Sequence, residues 1–232
     1  MYELAFNFWR LLATEEVKLG ASVALINPRV PLLLSNAAWF PEADDLRADD
    51  FQVGNLQAIA TWYAKRDIVP ALIVPALRAK AFSEALAGSA FSLERAFTFQ
   101  TLEEPLQRST DLITEQVSWA QGRVLGEHLA AHYEGPEYGV ALGAAVTSAM
   151  QRCPHIISFV TYSANEVADE VVGALVAFEN EGSLSSMMHS GEVEARLYQE
   201  AASREVQASS LEPLPAGVTV GDSSSFERWS IR

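Results

Sequence analysis

His128 and His132 stand four residues apart in a segment of helical periodicity, a spacing that lets two imidazoles on one helix face share a metal ion. A zinc hydrolase of that pattern needs a glutamate directly after the first histidine and a further ligand. Position 129 is leucine, and no Cys or His lies close by in sequence to complete the set, so no metal site is predicted. Cys153 is the single cysteine; followed by Pro154 in apolar surroundings, it reads as a small buried hydrophobe rather than a nucleophile. His155 and His189 flank strand-like runs, and either could move a proton. No serine sits in a Gly-x-Ser-x-Gly elbow, and neither Gly-x-Gly-x-x-Gly nor a P-loop occurs, which leaves the α/β-hydrolase reading without a starting point and takes most of the weight from the nucleotide-binding classes.

The elements that must position these residues can be traced along the chain. Leu4, Phe8, Leu11 and Leu12 predict an amphipathic helix that runs towards Glu15-Glu16 and stops before Gly20. Ser22 to Ile26 and Val30 to Leu34 read as strands, the second weakened by Pro31. Residues 41–50 are an acidic loop, Asn55 is the expected cap of a helix carrying Leu56, Ile59 and Tyr63, and Ala71 to Val74 is a buried strand. A helix is expected over Arg78 to Leu86, then a half-buried strand with Phe91, Leu93, Arg95, Phe97 and Phe99 on one side. Leu102 to Asp111, with Pro105, is the expected junction of two lobes, giving domains 1–104 and 105–232.

Two helices follow, one over Val117 to Tyr133 and one over Tyr138 to Ala149, with Gly135-Pro136 between them. Ile156 to Tyr162, Val171 to Phe178 and Ser183 to Met188 are three strands joined by the polar turns at Asn165-Glu166 and Asn180-Glu181-Gly182. Val193, Leu197 and Ala201 mark a last helix, and Phe226 to Ile231 a last strand. Trp39, Phe40 and Trp62 are expected in the core rather than in a cleft. The fold class is therefore α/β, a mixed and mostly antiparallel sheet flanked by helices, in two lobes.

The balance of charge narrows the partners. Thirty acidic against sixteen basic residues leave a formal charge of -14, which disfavours a nucleic acid or an anionic membrane as the main partner. The start, Met1-Tyr2-Glu3-Leu4, lacks the basic and apolar regions of a signal peptide, and no apolar run reaches the ~20 residues of a membrane span. A cytoplasmic protein is expected.

The order helix, helix, strand, strand, strand, helix from Ile113 to Gln207 carries more information than any motif. With Val171-Val-Gly-Ala-Leu-Val-Ala-Phe178, Asn180-Glu181-Gly182 and Ser183-Leu-Ser-Ser-Met-Met188, it resembles the central strands of the GNAT acetyltransferase superfamily, and Glu192 to Tyr198 resembles the start of the cofactor helix. Asn36 to Phe40, Trp62 to Arg66 and Pro70 to Val74 are similar to the extra lobe of two-lobed members. The resemblance implies an N-acyltransferase moving an acetyl group from acetyl-CoA to a small-molecule or peptide amine, with a homodimer left open. It implies cofactor contacts along Met187, Met188, His189, Ser190 and Gly191, and Glu179 or Glu181 as the base that deprotonates the amine.

The family opens its cofactor helix with Arg/Gln-x-x-Gly-x-Gly/Ala, because main-chain N–H groups must surround a pyrophosphate. Here the segment is Met188-His189-Ser190-Gly191-Glu192-Val193-Glu194, with one glycine and two added acids, and no tyrosine follows Tyr198 to serve as a late general acid. A second reading therefore stands beside the first: a non-catalytic GNAT-like binding or regulatory protein that has lost the cofactor loop.

Overall fold

The structure is a computed structural model that describes residues 1–32, 34–41, 53–76, 86, 89–102, 112–163, 170–191, 193–213 and 225–231. The acidic loop from residue 42, the expected helix up to residue 85, the lobe junction after Leu102 and the Asn165-Glu166 turn lie outside the described residues. The chain forms two compact units, one of Met1–Phe99 with Glu212–Arg232 and one of Gln100–Leu211. A single cut at 104 puts the C-terminal strand in the second unit, whereas the chain returns that strand to the first. The reason is pairing: β11 (Ser225–Ile231) bonds antiparallel to both β4 (Ala71–Pro75) and β5 (Phe91–Thr101), satisfying two strand edges that would otherwise be bare.

The first unit begins with α1 (Tyr2–Leu12), which buries Leu4, Phe8 and Leu12 as the spacing predicts, and also Tyr2, Phe6 and Trp9. Its end is held by a buried amide, Asn27 Nδ2 donating to Leu12 O at 2.7 Å while Asn27 N–H donates to Asn36 Oδ1 at 2.7 Å. Glu15-Glu16 does not extend the helix. It opens β1 (Glu15–Leu19), an unexpected strand that pairs with β2 (Ser22–Ile26) through Gly20, whose φ of +61° suits a tight turn. The described residues of Val30 to Leu34 form no strand either: Val30 N–H and Ser35 N–H close turns onto Asn27 O and Leu32 O, and the strand β3 falls at Ala38–Trp39.

A helix, α2 (Val53–Ala64), crosses from β3 to β4, which pairs parallel to it over Ala38↔Leu72 and Trp39↔Ile73. Asn55 lies inside α2, not at its cap, because the helix begins two residues earlier. Leu56, Ile59 and Tyr63 pack on Ala24, Ile26, Ala38, Phe40, Leu72 and Val74, so α2 and the sheet share one core. Trp39 and Phe40 are core residues, and the half-buried Trp62 lies under the Arg66 guanidinium at 4.1 Å. The strand order is β1-β2-β3-β4-β11-β5.

The second unit holds β6 (Leu112–Gln116), α3 (Gly122–His132), α4 (Gly139–Arg152), β7 (Ile156–Ser163), β8 (Val171–Asn180), β9 (Ser183–Gly191), α5 (Glu194–Ser203) and β10 (Gln207–Pro213). The two helices, the three central strands and the helix after them match the expected order; β6 and β10 are additional, in segments whose mixed polarity hides the period. The strand order is β10-β9-β8-β7-β6, antiparallel throughout except for the parallel pair β9 and β10 joined by α5. The chain is thus mixed α/β with mostly antiparallel sheet, as the sequence predicts.

Helices α3 and α4 touch at backbone distance. A Cβ added to Gly126 would lie 2.2 Å from Gly139 O, and one on Gly143 would lie 2.0 Å from Gly122 O, so four glycines let the two helices close on each other. Gly135 N–H then bonds back to Ala130 O and Glu134 N–H to Ala131 O, with Glu134 at φ +61°. That is a Schellman end with a non-glycine in the left-handed position, and it sets the place of Tyr133 at the foot of α3.

Candidate functional site

The parallel pair β9 and β10 is short. It runs from Ser183↔Gln207 to Ser186↔Ser210 and then stops, although β9 continues five residues to Gly191. At the point of departure the β8–β9 register shifts, from Val176↔Met188 to Ala177↔Ser186, so Met187 is the extra residue of a bulge that bends β9. A gap opens in the sheet beyond Ser186 and Ser210.

His189 stands just past that fork. Its main-chain N–H donates to the Tyr133 hydroxyl at 3.2 Å, and the same hydroxyl donates to His189 O at 3.1 Å. In a strand, the N–H and C=O of one residue point to the same edge. Because both reach Tyr133, that edge is the one turned from β8 towards the gap. The His189 imidazole looks back at the fork, with Nδ1 at 3.3 Å from Ser186 Oγ and at 3.3 Å from Ser210 Oγ, one hydroxyl from each parting strand. On the opposite side of β9, Ser185 and Ser209 share a buried bond of 2.7 Å that ties the strands where they are still paired.

The expected cofactor residues divide on this geometry. Met187 and Met188 are buried, His189 is half-buried, and Ser190 is buried with an Oγ that has no hydrogen-bond partner. Gly191, at φ +67°, is explained by packing: a Cβ there would lie 1.9 Å from Val172 O on the neighbouring strand. Val193 N–H closes a tight turn onto Gly191 O, and α5 starts at Glu194, so only two residues separate strand from helix.

Glu179 and Glu181 are not brought to this end. They sit at the β8–β9 hairpin: His189 faces Leu175, so Glu179 lies roughly 13 Å and Glu181 roughly 20 Å along the strand from it at about 3.3 Å per residue. Glu179 is engaged there by Arg204 Nη1 at 2.7 Å, and the two carboxylates line an open pocket of about 450 Å³ with His155, Asn180 and Val206. The pairing that a single catalytic cluster requires, hairpin acids next to the Met187–Gly191 segment, is therefore absent from the fold, because a hairpin puts its turn and the far end of its strand at opposite poles.

His128 and His132 share one side of α3; burial and the neighbouring His132 hold the His128 imidazole below its ordinary range, which favours its neutral form. Among the described residues no group of three metal-ligating side chains forms, and no helix is long and apolar enough to cross a membrane. Three residues of the site were missed by sequence reasoning. Ser186 and Ser210 lie in runs of serine whose alternation inside a strand is a weak signal, and Tyr133 has none, since its role depends on where α3 ends.

A parallel pair that forks at a bulge, a helix crossing from one member to the other, and two preceding helices on one side of an otherwise antiparallel sheet define the fold of the GCN5-related N-acetyltransferases. No family model and no curated protein matches the sequence. Among solved structures the chain is similar to a conserved protein of unknown function from Staphylococcus epidermidis, at a TM-score of 0.63 and 12% identity over 97% of each chain. It is similar also to a GCN5-related N-acetyltransferase from Kribbella flavida, at 0.63 and 11% identity over 99% of this chain and 95% of that one. A tandem GNAT protein from the clavulanic acid biosynthesis pathway aligns at 0.52 and 11% identity, over 90% and 78%. Identities this low establish the fold.

Proposed function

We propose that the second unit binds acetyl-CoA in the gap between β9 and β10 and passes the acetyl group to an amine. The observation that carries the reading is the pair of main-chain groups at His189, one donor and one acceptor on a strand edge beyond the fork, already holding a hydroxyl of the chain itself. An amide of a pantetheine arm offers the same complement of acceptor and donor. The buried, unbonded Ser190 Oγ adds a polar atom close to that edge. At the phosphate end, the fit is poorer: Gly191 is needed by β8, and the sequence between it and α5, Glu192-Val193, holds no basic residue and no glycine. No residue is assigned to the phosphates.

Acetyl-CoA supplies a thioester whose carbonyl an amine nitrogen can attack. His189 is the residue of this chain suited to take the proton from that amine, since its imidazole faces the fork between two hydroxyls that fix its ring. Glu179 and Glu181 drop out of that role on distance. The test is calorimetry and thermal shift with CoA and acetyl-CoA: a ligand at a hundred times its Kd adds about 2.7 kcal/mol to the native state. No heat and no shift at millimolar ligand would end the reading.

The second reading, a non-catalytic GNAT-like binding protein, is favoured by one specific observation, the Tyr133 hydroxyl that already satisfies both His189 groups. Binding of CoA without acetyl transfer to any amine in a broad panel would select it.

A further inference from the structure

Each unit contains a parallel pair of strands joined by a helix, and in each a tyrosine hydroxyl enters where the pairing ends. In the first unit the pair β3 and β4 stops at Trp39↔Ile73, and the next residue, Phe40, donates its N–H to the Tyr2 hydroxyl at 3.0 Å while that hydroxyl donates to Ile73 O at 2.8 Å. One phenol thereby sews β3 to β4. Tyr2 is buried, its ring lies 5.5 Å from Trp39 and 5.8 Å from Phe226, and burial pushes its phenol far above the ordinary range. Nothing but the protein can replace those bonds, so the first fork is closed as part of the core.

The second fork is filled differently. The Tyr133 hydroxyl bonds to both main-chain groups of one residue, His189, and these two bonds do not stitch one strand to the other. Tyr133 is half-buried and sits at the last turn of α3, where Glu134 is held in the left-handed region. Water can take up its hydroxyl if it leaves, and an incoming amide can take up His189 N–H and C=O, so the exchange conserves hydrogen bonds.

We propose that Tyr133 is a displaceable plug of the β9–β10 gap, a built-in competitor that a ligand amide must evict before the main chain of His189 can hold it. The proposal rests on the reading of this gap as a ligand site and adds its regulation. Apparent affinity is then reduced by the fraction of molecules in which the phenol is seated.

The experiment uses the full chain, with pantetheine and CoA as probes and Tyr133→Phe, Tyr133→Ala and Tyr2→Phe as variants. Amide exchange at His189, read by NMR, should speed up about tenfold in Tyr133→Phe, which keeps the ring and hence the packing. Pantetheine should bind Tyr133→Ala about 3- to 10-fold more tightly than wild type, the size of one net hydrogen bond, and Tyr2→Phe should show no such gain. Unchanged His189 exchange, or equal affinity in wild type and both Tyr133 variants, overturns the plug. Pantetheine binding to Tyr133→Ala with no CoA binding in any variant upholds the plug and overturns the acetyl-CoA reading. Binding of neither probe to any variant overturns both.

Discussion

Replacing Tyr2 by phenylalanine isolates what a single hydroxyl contributes at the closed fork. The ring keeps its contacts with Trp39 and Phe226, so the change removes an oxygen and little packing. It leaves Phe40 N–H without its 3.0 Å acceptor and Ile73 O without a 2.8 Å donor, in a region closed to water. An orphaned buried main-chain group costs about 1–3 kcal/mol, and Ile73 also lies in a strand paired on both sides, so the N–H dominates and the expected loss is about 2–3 kcal/mol. Urea denaturation followed by near-ultraviolet circular dichroism, which reports Trp9 and Trp39, measures it. The pH dependence supplies an independent arm. Because the folded phenol titrates above its unfolded value of about 10, its contribution is complete below pH 10 and is lost as pH rises beyond it. The gap between wild type and Tyr2→Phe should therefore narrow from pH 8 to pH 11, the ionisation of Tyr63 being common to both. A loss under about 0.5 kcal/mol with an unchanged denaturant slope would refute the claim that this hydroxyl closes the fork.

Gly143→Ala should destabilise the second unit by at least about 1–3 kcal/mol, because its Cβ would meet Gly122 O at 2.0 Å and the helices must part; thermal unfolding reads it. Glu134→Gly should stabilise by about 0.5–1 kcal/mol, as it relieves a left-handed residue at the end of α3, and a lowered urea midpoint would contradict that. Glu227 is buried on β11, where burial raises its carboxyl and the Trp229 indole N–H at 3.0 Å partly offsets this. With a folded value above the unfolded one, its neutral form stabilises at low pH, and that contribution is lost as pH rises through the folded value. Glu227→Gln should accordingly gain stability relative to wild type between pH 4 and pH 7, measured as the difference in urea midpoint.

Strands buried on both faces over most of their length, such as Val171 to Phe178, and helices with strict spacing, such as Leu4 to Leu12, were legible from the chain alone. Their apolar runs have one physical solution, burial, and the order in which they occur sufficed for the fold class. Segments of mixed polarity were not legible: Glu15–Leu19 and Gln207–Pro213 become strands because neighbours offer them an open edge, not because of their own period. The last strand likewise read as a strand, but only pairing with β4 and β5 decides which unit owns it.

At the candidate site, the sequence by itself placed Met187–Gly191 at the end of a strand that leads into a helix, since residue order along the chain survives folding unchanged. Tertiary structure alone decided that Glu179 and Glu181 lie at the other pole, that Ser210 meets His189, and that the Tyr133 hydroxyl bonds to the His189 main chain. The physical reason is that hydrogen bonds between residues 21 or 56 positions apart depend on where strands fork and helices end. Those places are set by a bulge, a left-handed glutamate and four glycines in contact, none of which has a linear signature.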